Sequence, residues 1–137
     1  MRPAVLLDTG PLVAFLHAGD RHHYWAKHQF REFEAPLLTC EAVIAESCHL
    51  LRRIPGALTR VFQLIERGSI RIDLSLQQEH RALASLLKRY SDLPISLADA
   101  CLVRMSEMHD PSVVLTLDSD FHVYRRLRRK TIAVICP

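Results

Sequence analysis

Four carboxylates, and the places where they fall, carry the chemistry this sequence offers. Asp8 closes the apolar run in Leu6-Leu7-Asp8-Thr9-Gly10-Pro11, and Asp118 and Asp120 close Leu115-Thr116-Leu117-Asp118-Ser119-Asp120-Phe121. Glu46 lies within a helical apolar pattern, and Asp99 ends Ser96-Leu97-Ala98-Asp99. If Asp8, Glu46, Asp99 and Asp118 converge, their repulsion decides what they do. Two carboxylates about 4 Å apart repel by roughly 4 kcal/mol at an effective dielectric of 20. Such a group either holds protons at raised pKa values or binds a cation. An all-oxygen donor set suits Mg²⁺ or Mn²⁺. A metal of that kind can activate water and stabilise charge on a phosphodiester in transit.

Each acid also has a plainer reading. Asp8 and Asp118 are placed to cap the helices that follow them. Glu46 sits at the border of a stripe formed by Val43, Ile44, Ser47, Leu50, Leu51 and Ile54, where a carboxylate needs either a function or a buried ion-pair partner. Glu41, pointing the other way, is a favourable charge in a first helical turn. Ser96 and Asp99 fit a capping box, so Asp99 reads equally as cap or as ligand. Asp92, in the preceding loop, is a turn residue with room for a supporting part beside the site.

The elements that must position these acids follow from periodicity. Short apolar runs predict strands at Ala4–Leu7, Pro36–Leu38, Ile70–Leu74, Val113–Leu117 and Ile132–Ile135. Pro11 is expected at the first position of a helix after the first strand. Further helices are expected over Arg21–Phe33, with Trp25 and Phe30 buried, and over Glu41–Arg53, Ala57–Arg67, Gln77–Tyr90 and Leu97–Met108. A short helix is expected over Phe121–Leu127. Strands alternating with helices predict an α/β fold, a three-layer α/β/α sandwich around a short central parallel sheet. Ligands of such sheets collect beyond the carboxyl ends of the strands, which is where Asp8 and Asp118 fall.

Composition narrows the field. At 137 residues, 49% hydrophobic and 24% charged, the chain reads as one globular domain spanning residues 1–137. No stretch is long enough to span a bilayer and no secretory pattern opens the chain, so a cytoplasmic protein without membrane contact is expected. Cys40, Cys48, Cys101 and Cys136 form no CxxC pair and read as reduced core residues. Lysine and arginine total 18 against 15 acids, and only Lys27, Lys88 and Lys130 are lysines. Arginine's planar fork suits phosphate. Arg125, Arg126, Arg128, Arg129 and Lys130 follow the second acid site, and read either as RNA-phosphate contacts or as a solvated helix end. Arg52 and Arg53 end the Glu46 helix, free for acids or a partner; Tyr24 could stack on a base.

The stretches Val5–Ala14, the Glu46 helix, Tyr90–Ala100 and Leu115–Phe121 together resemble the PIN-domain ribonucleases, and most closely the VapC-type toxins of bacterial toxin–antitoxin pairs. The resemblance runs end to end and rests on the ordered set, since Asp-Thr-Gly or Leu-Ala-Asp-Ala alone is weak. It implies a PIN-like fold and a metal-dependent endoribonuclease using Mg²⁺ or Mn²⁺. The acidic quartet of that family maps onto Asp8, Glu46, Asp99 and Asp118. Asp120 is placed as a fifth ligand or water-holder, and Thr9 and Thr116 as supporting hydroxyls. An RNA substrate, a homodimer and a small antitoxin protein are implied as partners, and 5′-phosphate and 3′-hydroxyl ends as products.

Two alternatives stand beside this reading: a PIN-like RNA- or protein-binding module without cleavage, and a housekeeping nuclease with no antitoxin. A small neighbouring reading frame with a DNA-binding pattern would favour the toxin. Asp8-Thr9-Gly10 is also an aspartic-protease signature, but that fold is all-β and Pro11 opens a helical pattern. A phosphoacceptor receiver would need an acid pair after the first strand and a lysine late in the sheet. No P-loop, GxGxxG or GxSxG motif is present.

Overall fold

In a computed structural model, which describes residues 2–137, the apolar runs become strands, and those at Ala4–Leu7, Leu37–Thr39 and Ser112–Leu115 are buried on both sides. The chain runs β1 (Ala4–Leu7), α1 (Thr9–Leu16), α2 (His23–Glu32), β2 (Leu37–Thr39), α3 (Glu41–Leu50), α4 (Ala57–Glu66) and β3 (Ile70–Ile72). It continues through α5 (Leu76–Arg89), α6 (Leu97–Met108), β4 (Ser112–Leu115), a 3₁₀ turn (Ser119–His122), β5 (Arg125–Arg126), β6 (Lys130–Thr131) and β7 (Val134–Ile135). Five strands form one parallel sheet in the order β3-β2-β1-β4-β7. β1 is central, with Leu6 opposite Leu38 on one side and Ala4 to Leu7 opposite Ser112 to Leu115 on the other. This is the expected three-layer α/β/α sandwich with six helices about the sheet.

Strand alternation divides the interior into two cores. Leu6, Leu38 and Val114 face Leu83, Leu86, Leu102 and Met105 of α5 and α6. Val5, Leu7, Leu37, Val113 and Leu115 face Leu12, Leu16, Val61 and Leu64 of α1 and α4. α3 lies at the seam, sending Val43 to the first core and Ile44 and Leu51 to the second. Each fully buried leucine contributes about 1.5–3 kcal/mol over exposure, so the sheet is held from both faces.

Most expected boundaries fall within a few residues of those observed. Pro11 is the third residue of α1, not the first, still within the turn whose N–H groups need no helical partner. Ala26 is the fully buried residue of α2, and Trp25 and Phe30 are half-buried. Cys40 and Cys101 are core residues, whereas Cys136 is exposed.

One expectation fails. Phe121–Leu127 is not a helix: the 3₁₀ turn ends at His122, and β5 pairs antiparallel with β6, with Arg125 opposite Thr131 and Arg126 opposite Lys130. At the tip, Leu127 (φ 49°) and Arg128 (φ 69°) adopt left-handed conformations without being glycine. Each costs about 1–2 kcal/mol. The hairpin persists because its base is over-determined. The Arg125 N–H donates to the Tyr90 hydroxyl (2.8 Å), the Arg126 Nε to the Ser106 carbonyl (2.9 Å), and the Leu127 N–H to Glu107 (2.6 Å). Glu107 is itself held by Arg104, which also binds Glu79 at 2.7 Å.

Candidate active site

The strand order reverses direction at β1, which leads to β2 on one side and meets β4 on the other. A crevice opens beyond the carboxyl ends of two such strands. Asp8 leaves β1 there, its N–H bonded to the Leu115 carbonyl at 3.0 Å. Its Oδ1 accepts the Thr9 N–H (2.8 Å), so Asp8 does cap α1. Its Oδ2 accepts the Thr116 hydroxyl at 2.6 Å, across 108 residues of sequence. Thr116 Oγ1 in turn accepts the Asp118 N–H (2.8 Å), and Asp118 Oδ1 accepts the Asp120 N–H (2.8 Å). One hydroxyl therefore fixes both strand-end acids relative to each other. Thr39, fully buried at the end of β2, donates to the Leu7 carbonyl (2.8 Å) and steadies the residue before Asp8.

Asp99 takes the capped position expected at the start of α6. Its N–H is capped by Ser96 Oγ at 3.0 Å, while its Oδ2 accepts the hydroxyl of the fully buried Tyr124 at 3.0 Å. Tyr124 packs edge-on against Phe121 and Tyr90, so its ring has little freedom. Glu46 differs in kind. It is exposed, as is Leu50 one turn later, so the buried stripe of α3 is narrower than the arc drawn through Leu50. The burden of a buried carboxylate therefore does not apply to Glu46.

Asp8, Glu46, Asp99 and Asp118 line one cavity of about 430 Å³, together with Thr9, Gly10, Leu50, Leu117 and Ser119. Four separate elements deliver the four acids. A Cβ at Gly10 would lie 3.0 Å from the Leu117 side chain, so a larger residue there would push Leu117 by a few tenths of an ångström. Clefts of about 570 and 360 Å³ between α1, α2 and α4 are lined by phenylalanines and cations and contain no acid, so size alone does not locate the carboxylate chemistry.

Burial dominates the electrostatics. Asp8 is only 6% exposed, and loss of water pushes its carboxyl up to about 6 against the pull of the Thr116 and Thr9 hydrogen bonds; the charges of Asp99 and Asp118 add to the rise. Asp99, 8% exposed, is likewise raised by burial, with the Tyr124 hydroxyl opposing and Asp118 adding. Burial, then the Asp99 charge, pushes the Tyr124 phenol up, so it stays a donor. Thr9 Oγ1 is buried with no hydrogen-bond partner.

Among the described residues, no three His, Cys, Asp or Glu side chains are placed so that together they could hold a metal ion. The donor set nevertheless fits a hard cation. Mg²⁺ keeps several waters and takes one or two carboxylates plus substrate phosphate, and all donors around the cavity are oxygens. Burial is the main reason the Asp8 and Asp99 carboxyls are raised, with neighbouring acid charge adding, and a bound cation would oppose both.

Other expected site residues fall elsewhere. Asp120 is half-buried and Asp92 lies in an exposed turn, and neither lines the cavity. Tyr24 is 82% exposed on α2, also outside it. Arg52 donates to the His49 carbonyl at 2.7 Å. Arg125 through Lys130 form the β5–β6 hairpin, not a helix end, and none of them lines the cavity. Tyr124 and Thr39 support the site without any periodicity or motif that marks them in the sequence.

No curated protein sequence matches the chain. Its fold is similar to that of VapC20 from Mycobacterium tuberculosis, a toxin that cleaves the sarcin–ricin loop. The TM-score is 0.73 at 21% identity, over 92% of this chain and all of that one. The PIN-domain family model matches residues 5–127, which take in Asp8, Glu46, Asp99 and Asp118. With that match over most of its length, the chain belongs to the PIN-domain family.

Proposed function

We propose that this protein is a metal-dependent endoribonuclease, the toxin of a toxin–antitoxin pair, acting as a single domain over residues 1–137. One observation carries the proposal: four carboxylates from four elements surround one cavity at the crevice of a parallel sheet, two of them held at raised pKa. Likeness in fold to a toxin that cleaves structured RNA supports the same reading.

Asp8, Asp99 and Asp118 hold the cation, Mg²⁺ or Mn²⁺, directly or through water. When bound, it polarises a phosphoryl oxygen and lowers the pKa of water. Thr116 keeps the Asp8 carboxylate turned to the cavity, and Tyr124 does the same for Asp99. Glu46, exposed at the rim, is free to orient and deprotonate the attacking water. In-line attack leaves 5′-phosphate and 3′-hydroxyl ends. Asp120 and Asp92 serve from outside the cavity lining, Asp120 through the turn that follows Asp118 and Asp92 through the turn that leads into α6.

Protein partners belong to the same reading. The clefts lined by Phe15, Phe30 and Phe33 with Lys27, Arg60 and Arg67 suit an acidic, apolar segment of a small antitoxin. Exposed Leu58 and Phe62 on α4 offer an apolar strip to a second copy. Among the described residues, no helix is long and apolar enough to cross a membrane. We place the protein in the cytoplasm, with its RNA.

The test is cleavage of defined RNA stem-loops, including a sarcin–ricin stem-loop, with Mg²⁺ or Mn²⁺ and with chelator. Wild type should cut only with metal, and Asp8→Asn and Asp99→Asn should lose at least about 100-fold. Undiminished cutting by both variants would sink the assignment. Binding without any cutting by wild type would leave the non-cleaving module.

A further inference from the structure

The β5–β6 hairpin has more structure than packing requires. Its base is anchored through Tyr90 and Ser106 and its tip through Glu107, and that tip holds two left-handed non-glycine residues. The Arg125 guanidinium is spent on the carbonyls of His122, Val123 and Tyr124, and that of Arg126 on Ser106. Arg128, Arg129 and Lys130 are different. All three are exposed, and among the described residues none has an acidic partner. Three adjacent like charges on a strained, rigidly anchored turn repel one another and stabilise nothing within the chain. Strain retained in this way points to use by something outside the fold.

The anchors also fix where that charge lies. Tyr124, at the start of the hairpin, bonds to Asp99 near the amino end of α6, and Leu127, at the tip, bonds to Glu107 near its other end. Eight residues of helix separate those two points, about 12 Å at 1.5 Å per residue. At the cavity end, exposed Arg89 lies 5.9 Å over the ring of Tyr90, whose hydroxyl takes the Arg125 N–H. Cations thus mark both ends of a path leading away from the acids. About 12 Å corresponds to roughly three or four phosphates of one strand in a duplex.

We propose that Arg128, Arg129 and Lys130 form a phosphate-backbone contact that grips a structured RNA several nucleotides from the bond being cut. The inference rests on the nuclease reading above and deepens it. The substrate is an RNA long enough to span cavity and tip, and the run of five cations divides into two that build the hairpin and three that bind.

The test compares wild type with a triple variant, Arg128→Asn, Arg129→Gln and Lys130→Gln, which leaves every anchor intact and keeps a residue tolerant of the left-handed turn at 128. Binding of a labelled RNA stem-loop is followed with chelator across a salt series, and cleavage is followed with Mg²⁺ on the stem-loop and on a dinucleotide. The slope of log affinity against log salt should fall by about 2–3, from roughly 0.7–0.9 for each of three phosphates no longer neutralised. Stem-loop cleavage should weaken through KM, and dinucleotide cleavage should not change. An unaltered slope, or equal loss on both substrates, overturns the proposal. Wild type that neither binds nor cuts the stem-loop overturns the nuclease reading as well. Wild type that cuts, matched by the variant, overturns the hairpin's role alone.

Discussion

Asp8→Asn should make the metal-free protein more stable while abolishing its activity. In the fold the Asp8 carboxyl is held at about 6 against an ordinary 3.8, chiefly by burial. That difference means the native state binds this proton about 3 kcal/mol more tightly than the unfolded chain does. The sign follows. A raised acid favours folding when protonated, so its contribution is present below about pH 4 and is lost as pH rises through 6. Above pH 6 the ionised Asp8 opposes folding by about that full amount. Asparagine removes the charge but leaves the Thr116 hydroxyl without its acceptor, at about 1 kcal/mol. The net gain is about 2 kcal/mol at pH 8, or about 6 °C in Tm for a domain of this size. Thermal unfolding in chelator, from pH 4 to pH 8, should show the variant gaining over wild type between pH 4 and 6, with a steady advantage above. Excess Mg²⁺ should close the gap and slightly reverse it by raising wild type alone, by about 2.7 kcal/mol at a hundred times Kd. An Asp8→Asn protein that melts lower than wild type at pH 8, or by an equal difference at all pH values, would refute the argument from burial.

Three further outcomes follow from hydrogen bonds around the site. Thr116→Val removes a donor to Asp8 and an acceptor from the Asp118 N–H, and should cost about 1–3 kcal/mol by denaturant unfolding with a severe loss of cleavage; Thr116→Ser should restore both. Tyr124→Phe takes away the hydroxyl that opposes the rise of the Asp99 pKa, so the acid limb of the cleavage profile should move to higher pH, with the ring packing intact. No movement of that limb would show that Asp99 does not govern it. Ser96→Ala deletes the cap of α6 and should lower stability by about 1 kcal/mol in equilibrium unfolding.

The parts of this molecule that declared themselves in sequence are those ruled by local physics. A strand buried on both faces must be continuously apolar, which makes β1 and β4 legible, and Asp8 and Asp118 are visible as the first acidic side chains beyond their ends. The Ser96 cap is equally local. Glu46 could be placed at the border of the α3 stripe, but only tertiary packing leaves Leu50 52% exposed and Glu46 with it. Tyr124 and Thr39 were illegible because their value lies in bonds to residues 25 and 32 positions away. The sequence over Phe121–Leu127 suggests helix because neither Leu127 nor Arg128 is a glycine or asparagine that would announce a left-handed turn. What imposes it is Glu107, 20 residues earlier, accepting the Leu127 N–H.

The bond from Thr116 to Asp8 orders events in time. A chain emerging at about 5–20 residues per second presents Asp8 some 5–20 s before Asp118. Until β4 arrives, one edge of β1 stays unpaired and the Asp8 carboxylate has neither its hydroxyl nor its neighbouring acid. For a protein proposed to cut RNA, the machine that makes it is the first RNA within reach. Closing the acid cluster with a late strand leaves the site incomplete until nearly all of the domain has been synthesised.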